Sequence, residues 1–447
     1  MTPKLSSFLF SAAIFLEALR SKEVAKALKL LDKSDMSTRS DRMELANEAF
    51  RDLIKNISVH CPYYKEYFLT HGFKSSDFNT IEDLRKLPIL TKDLIKKNRE
   101  RFISKDPSNR DYLSRTSGGT TGEPIQIEVD RQTRINDLYF YYRGLRWMGW
   151  RPGYPMVKFF GGSLGGNNAP TIKNKIKKFV SGEFFLPAFK LDKSSALYYL
   201  DTIKSLGNCY IQGYVSSIYT LATLARELNY KGLQIKGVFT TAEQLPLEQA
   251  EFINETFNCN VKAYYGCAEI NCLGFQLETN GDYRSPEEIV ALEKITHPEI
   301  SIDNAFLVSS LYNKRMPLLR YLNGDSGEIL IKDDMTLISE LSGRTADMFV
   351  SKSRGFISSI VATQTMQITG LTHKIKRYQL IQISEKNIEF RYQVFEGQRI
   401  CPSDLQKIIE MYLDRFGKEF IIETVETEYF IKSNTGKHRL MINQFIN

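Results

Sequence analysis

Ser117-Gly118-Gly119-Thr120-Thr121-Gly122-Glu123-Pro124 decides the reading of this chain. Three glycines let backbone N–H groups approach an anion with no Cβ in the way. The hydroxyls of Ser117, Thr120 and Thr121 add donors, so the run has the chemistry of a loop that wraps a triphosphate. No Gly-Lys-Ser/Thr follows, as it would in a Walker loop. The alternating stretch Ile125-Gln126-Ile127-Glu128-Val129 comes next and predicts a strand where a Walker loop opens a helix. That points away from kinases and GTPases.

Outward from the loop, the chain divides into regions of different character. Residues up to about 100 mix charged and apolar side chains at helical spacing. Thr91 is a suitable N-cap for a helix beginning at Lys92. Helical patterns at 132–148, 194–206, 216–229 and 247–257 alternate with short apolar runs at 156–160, 238–241 and 261–265. Such alternation predicts an α/β sheet with covering helices. Runs at 306–311, 318–322 and 327–331 predict short strands joined by turns. Beyond Gly343 the pattern becomes a small α+β unit, with strands at 378–383, 387–395 and 419–428 and a helix at 402–416.

With 447 residues the chain is long enough for two or three domains. Its net charge of +8 suits an anionic ligand, and no dense basic tract with interleaved aromatics points to nucleic acid. Lys173–Lys178 reads as a solvated basic face. Six cysteines form no CxxC pair, and no histidine stands beside Cys259, Cys267 and Cys272. The expectation is reduced, buried thiols in a cytoplasmic protein, with a zinc site at those three as the lesser reading. The apolar stretch Leu5–Leu19 contains Glu17 and is too short to span a bilayer. It predicts an amphipathic helix packed on the body, with weak peripheral membrane contact as the alternative.

Five polar landmarks together resemble the acyl-adenylate-forming superfamily, in its phenylacetate–CoA ligase and CapK-like branch. They are the glycine loop, Tyr264-Tyr265-Gly266-Cys267-Ala268-Glu269, Arg320-Tyr321-Leu322-Asn323-Gly324-Asp325, Gly343-Arg344-Thr345-Ala346-Asp347 and Asn434-Thr435-Gly436-Lys437. Their order and spacing fit, and Tyr63-Tyr64 and Leu87-Pro88-Ile89-Leu90-Thr91-Lys92 look like the N-terminal region of that branch. The resemblance implies a large adenylate-forming domain, residues 1–346, with mixed β-sheets and covering helices. A small C-terminal α+β domain, residues 347–447, follows a hinge at Asp347.

The resemblance also implies roles. Ser117, Gly118, Gly119, Thr120, Thr121 and Gly122 would hold the phosphates of ATP. Thr241, Ala242 and Glu243 would line one side of the adenine, and Tyr264, Tyr265 and Gly266 the other, with the Tyr265 ring on the base. Glu269 would carry Mg²⁺. Asp325 would accept from the ribose hydroxyls, and Arg344 would pair with ribose or phosphate oxygens. Lys437 would stabilise charge as the carboxylate attacks the α-phosphate. Gln212, Gly213 and Tyr214 would line the acid's pocket. The implied activity joins a small carboxylic acid to AMP, then passes the acyl group to coenzyme A, a carrier-protein thiol or an amine. Surface-polysaccharide assembly is the implied setting. A catalytically silent nucleotide-binding scaffold and an adenylyltransferase that leaves AMP on its acceptor are the alternatives.

Each residue also has a plainer reading. Glu269 suits a helix N-terminus, Asp325 a turn, Tyr265 core packing and Lys437 a solvated hairpin. Two departures qualify the resemblance. The family's pattern often has Lys after the proline of the glycine loop, where this chain has Ile125. Some relatives carry a zinc-binding Cys/His cluster after the Tyr-Gly-x-x-Glu motif, and it is incomplete here.

Overall fold

The computed structural model describes residues 3–116, 125–160, 182–187, 191, 193–296, 304–342, 349–357, 359–431 and 439–445. One sheet of eleven strands organises the large region. Its parallel part runs Glu183–Pro187, Met156–Phe160, Cys209–Tyr214, Ile235–Thr241, Val261–Tyr265. It continues antiparallel through Gly274–Gln276, Tyr283–Arg284, Met335–Ser342, Tyr321–Lys332, Ala305–Ser310 and Val290–Ile295.

The inner parallel strands Met156–Phe160, Cys209–Tyr214 and Ile235–Thr241 are buried on both faces, which accounts for their near-continuous apolar sequences. One face packs Val157, Ile211, Val238 and Val261 against the helices Lys193–Leu206, Val215–Glu227 and Leu247–Phe257. The other turns Met156, Tyr210 and Phe239 toward the helix Arg131–Trp147 and the core under the N-terminal helices. Their carboxyl ends align, with Tyr214 beside Thr241 and Thr241 beside Tyr264. Ligands of open α/β sheets gather at such ends.

The N-terminal region is helical, as its pattern predicts, from Pro3–Arg20 to Arg99–Phe102. Thr38 and Asp41 form a reciprocal capping box on the helix Arg39–His60. In the first helix, Ile14 and Ala18 pack near Val24, Ala27 and Tyr139. Phe15, Leu16 and Leu19 of the same helix remain exposed. No helix among the described residues is long and apolar enough to cross a membrane.

Sheet membership changes between Ser342 and Phe349. The next strands, Phe349–Ser351 and Gly355–Ile357, pair with each other in a separate two-stranded sheet. A four-stranded sheet follows, ordered Ile421–Glu426, Asn387–Val394, Ile375–Gln382, Met441–Asn443, with the helices Ser359–Thr369 and Pro402–Phe416. Phe390, Tyr412, Phe416 and Leu380 fill its own core.

Two expectations need correction. Runs 318–322 and 327–331 do not make two strands. One long strand, Tyr321–Lys332, passes through both, and a register shift between Ser326 and Glu328 absorbs the glycines. A Cβ at Gly327 would lie 2.8 Å from the Ser339 carbonyl oxygen, so the close crossing needs glycine there. The sequence pattern leaves residues 209–214 out of the sheet; Cys209–Tyr214 is a central strand with every residue buried, and it carries Gln212, Gly213 and Tyr214.

Candidate active site

The Tyr-Gly-x-x-Glu and Arg-Tyr-x-x-Gly-Asp segments meet because Val261–Tyr265 ends where Tyr321–Lys332 begins, on the antiparallel side of the sheet. The Tyr265 hydroxyl donates to Asp325 Oδ2 at 2.8 Å. The Asn323 amide donates to the same oxygen at 3.0 Å and to the Tyr265 hydroxyl at 2.6 Å. The Asp325 N–H closes the turn on Asn323 Oδ1 at 3.1 Å. Two donors on one carboxylate oxygen fix the plane of the group. Burial, and then the Asp325 charge, push the Tyr265 hydroxyl well above its ordinary value, so it stays a donor.

Glu269 lies across the same corner. It is 8% exposed, and its Oε1 accepts from the Tyr321 hydroxyl at 2.8 Å. Lys92 Nζ stands 3.7 Å from that oxygen. A carboxylate oxygen placed this way is a hard donor of the kind that fits Mg²⁺. The turn that contains it is closed by Cys267, whose N–H donates to the Ile270 carbonyl at 3.1 Å. Burial pushes the Cys267 thiol well up, and the Glu269 charge adds to this. Among the described residues no group of three or more His, Cys, Asp or Glu is placed to hold a metal ion.

Gln212, Gly213 and Tyr214, expected to line the acid's pocket, lie at the carboxyl end of a central strand. Gln212 is 1% exposed. Its Oε1 accepts from the Tyr141 hydroxyl at 2.6 Å, and its Nε2 donates to the Tyr264 hydroxyl at 3.2 Å. The Thr241 side chain also meets that hydroxyl. The Tyr264 ring stacks on Phe275 with centroids 5.9 Å apart. Gly213 lets two strands close up, since a Cβ there would come within 2.5 Å of the Phe159 carbonyl oxygen. Tyr214 is buried edge-on against Phe160, in the core cluster of the C-terminal sheet.

Ala242 adopts a left-handed φ of 68°, which turns the chain sharply after Thr241. That turn delivers Glu243 to the first turn of the helix Val215–Glu227. There Glu243 accepts from the Ser216 N–H at 2.7 Å and from its hydroxyl at 3.0 Å. A carboxylate at a helix N-terminus satisfies its unpaired donors and its dipole.

No family model matches the chain. Over 342 residues it is 23% identical to protein CapK of Staphylococcus aureus, across 72% of each chain. Over 393 residues it is 23% identical to the phenylacetate-coenzyme A ligase of Pseudomonas putida, across 82% of this chain and 87% of that one. Among solved structures, 2-hydroxyisobutyryl-CoA ligase in its thioesterification state superposes with a TM-score of 0.60 at 14% identity. That match covers 91% of this chain and 90% of the other. Its open conformation gives 0.55. The chain shares the fold of these acyl-CoA ligases.

The adenylate-forming frame shows what the motifs alone left out. Asn323 and Tyr321 orient the two acids but stand at positions the motif leaves open or reads as packing. Tyr141 comes from a helix more than a hundred residues upstream of Tyr264, with no local pattern to announce it. Lys92 belongs to the Leu-Pro-Ile-Leu-Thr-Lys run. A single parallel bridge, Leu90 to Tyr321, brings it to Glu269. The Leu90 N–H donates to the Arg320 carbonyl at 3.0 Å, and the Leu322 N–H donates to the Leu90 carbonyl at 2.9 Å. Arg320 adds a third tie, donating to the Leu87 carbonyl at 2.8 Å. The glycine loop Ser117–Gly122, Arg344, Asp347 and Lys437 lie outside the described residues.

Proposed function

We propose that this adenylate-forming ligase activates a small carboxylic acid with ATP and then transfers the acyl group to a thiol. In the first step a carboxylate oxygen attacks the α-phosphorus. The bond to the bridging oxygen breaks, pyrophosphate leaves, and an acyl-adenylate forms. In the second, a thiolate attacks the acyl carbon and AMP departs with the bonding pair. The acceptor is coenzyme A or a carrier-protein thiol in this reading, with an amine as the variant. The arrangement that carries the proposal is the corner where Tyr265, Asn323 and Asp325 form one hydrogen-bonded set beside the Tyr321–Glu269 pair.

Asp325 would receive the ribose hydroxyls and Tyr265 would face the base. Mg²⁺ on Glu269 would offset the charge of the phosphates. Thr241 and Ala242 would pass along the nucleotide, while Glu243 would act through the helix it caps. Gln212 and Tyr264 would meet the acid, with Gly213 and Tyr214 shaping the wall behind them. The glycine loop, Arg344 and Lys437 would complete the phosphate contacts, with the lobe after Asp347 carrying Lys437 in and out. The CapK relative suits a cytoplasmic role in surface-polysaccharide assembly.

Acid-dependent exchange of labelled pyrophosphate into ATP tests this reading, run over a broad acid panel with and without coenzyme A. Exchange with at least one acid, reduced ~100-fold or more by Lys437→Ala, is expected. ATP binding without exchange on any acid would favour a silent scaffold. A stable AMP adduct on the acceptor would identify an adenylyltransferase.

A further inference from the structure

Ile125 occupies the position where the family's pattern often has lysine, and it is 3% exposed in the core beside Ile127 and Val129. A side chain there points inward, so this chain lacks that cation. Lys92 brings a different cation to Glu269. Its ammonium lies 3.7 Å from Glu269 Oε1, with its side chain 17% exposed.

The backbone around Lys92 is fixed on its N-terminal side. Leu90 is clamped between Arg320 and Leu322. The Thr91 hydroxyl accepts from the Leu94 N–H at 3.2 Å and starts the helix Lys92–Lys97. Tyr321 follows Arg320 directly and reaches the Glu269 oxygen that Lys92 faces. A lysine held this way is a point charge on a flexible stem, able to shift by an ångström or two while its Cα stays put.

We propose that Lys92 is a phosphate-binding cation of the ATP site. It balances Glu269 when nucleotide is absent and turns to the β- and γ-phosphates when ATP binds. The inference rests on the adenylation reading, and it assigns Lys92 the charge that Ile125 cannot supply.

The distinguishing measurement is equilibrium binding by the full chain, without acid and without turnover. ATP, pyrophosphate and AMP are titrated into the native protein, Lys92→Met and Lys92→Arg. Loss of a charge-assisted phosphate contact should weaken ATP and pyrophosphate about tenfold or more in Lys92→Met, while AMP stays within about twofold. Lys92→Arg, which keeps the cation, should restore ATP binding to within about threefold. Equal weakening of ATP and AMP would show that Lys92 merely positions the corner and would overturn the inference. Unchanged ATP binding would overturn it as well. If the native chain binds neither nucleotide, the adenylation reading itself fails. If native binding is intact and only the ATP-to-AMP ratio fails to move, the inference alone falls.

Discussion

Asp325 has two donors on a single oxygen, and one of them, the Tyr265 hydroxyl, comes from the Tyr-Gly-x-x-Glu segment. The pair therefore acts as a unit. Tyr265→Phe removes the donor and keeps the ring. Net loss of one hydrogen bond to a charged group is worth about 1.5–3 kcal/mol, so AMP should bind roughly tenfold or more weakly. Because burial raises the tyrosine's pKa above its ordinary 10.0, the native hydroxyl should remain protonated through pH 10. AMP affinity should show no step there that Tyr265→Phe abolishes, and such a step in a titration would refute the assignment. At this scale the sequence was partly legible. Glu269 and Asp325 stand at motif positions whose chemistry is plain from residue type. The placement of Lys92 and Tyr141 was not legible, because each reaches the site through a pairing of strands or helices far apart in the chain.

Secondary elements with strong period or clear caps were readable from their own residues. The strand Val261–Tyr265 and the helices Leu247–Phe257 and Pro402–Phe416 begin and end where the pattern changes. The long strand Tyr321–Lys332 was not readable as one piece, since its glycines look like turns until the crossing with Ser339 is seen. Between elements, buried charge does work that hydropathy hides. Arg143, on the helix Arg131–Trp147, meets Glu288 Oε1 at 2.5 Å, and the Ser34 hydroxyl from an N-terminal helix donates to the same oxygen. The Arg143 guanidinium also lies over the Phe140 and Trp147 rings. Burial alone would raise the Glu288 pKa, but Arg143 and Ser34 outweigh it and leave the folded value below the ordinary 4.5. A depressed carboxylate pKa contributes stability that is fully present above the unfolded value and lost as pH falls through the folded one. Acid should therefore erode native stability below about pH 4.5 through this pair. Glu288→Gln should flatten that part of the stability–pH curve, and at pH 7 it should cost about 3–5 kcal/mol by leaving the buried Arg143 to the partly exposed Asp35, 3.6 Å away. Denaturant melts at pH 3.5, 5 and 7 would decide it; parallel curves for the two proteins would show that Glu288 contributes nothing to the acid response.

At the scale of the whole molecule, the two sheets are separate hydrogen-bonded units, yet their cores touch. Phe160 and Tyr214 end neighbouring parallel strands of the large sheet and are buried in the cluster built from Phe349, Ile357, Val361 and the C-terminal sheet. Their rings meet edge-on with centroids 5.2 Å apart. Such an aromatic plug links the lobes by packing, which a rotating lobe could break and remake as a unit. Truncating a buried phenylalanine removes about 3–5 kcal/mol of packing, more than enough to uncouple two units that each keep their own core. Phe160→Ala should therefore resolve the calorimetric trace into two transitions, with the C-terminal one shifted down, where the native chain gives more closely coupled melting. The variant should also bind AMP within about twofold of the native protein, because Phe160 is no part of the nucleotide corner. If Phe160→Ala lowered a single transition without splitting it, the lobes would be joined by more than this plug. The proposed rotation of the C-terminal lobe would then have to pivot on contacts elsewhere.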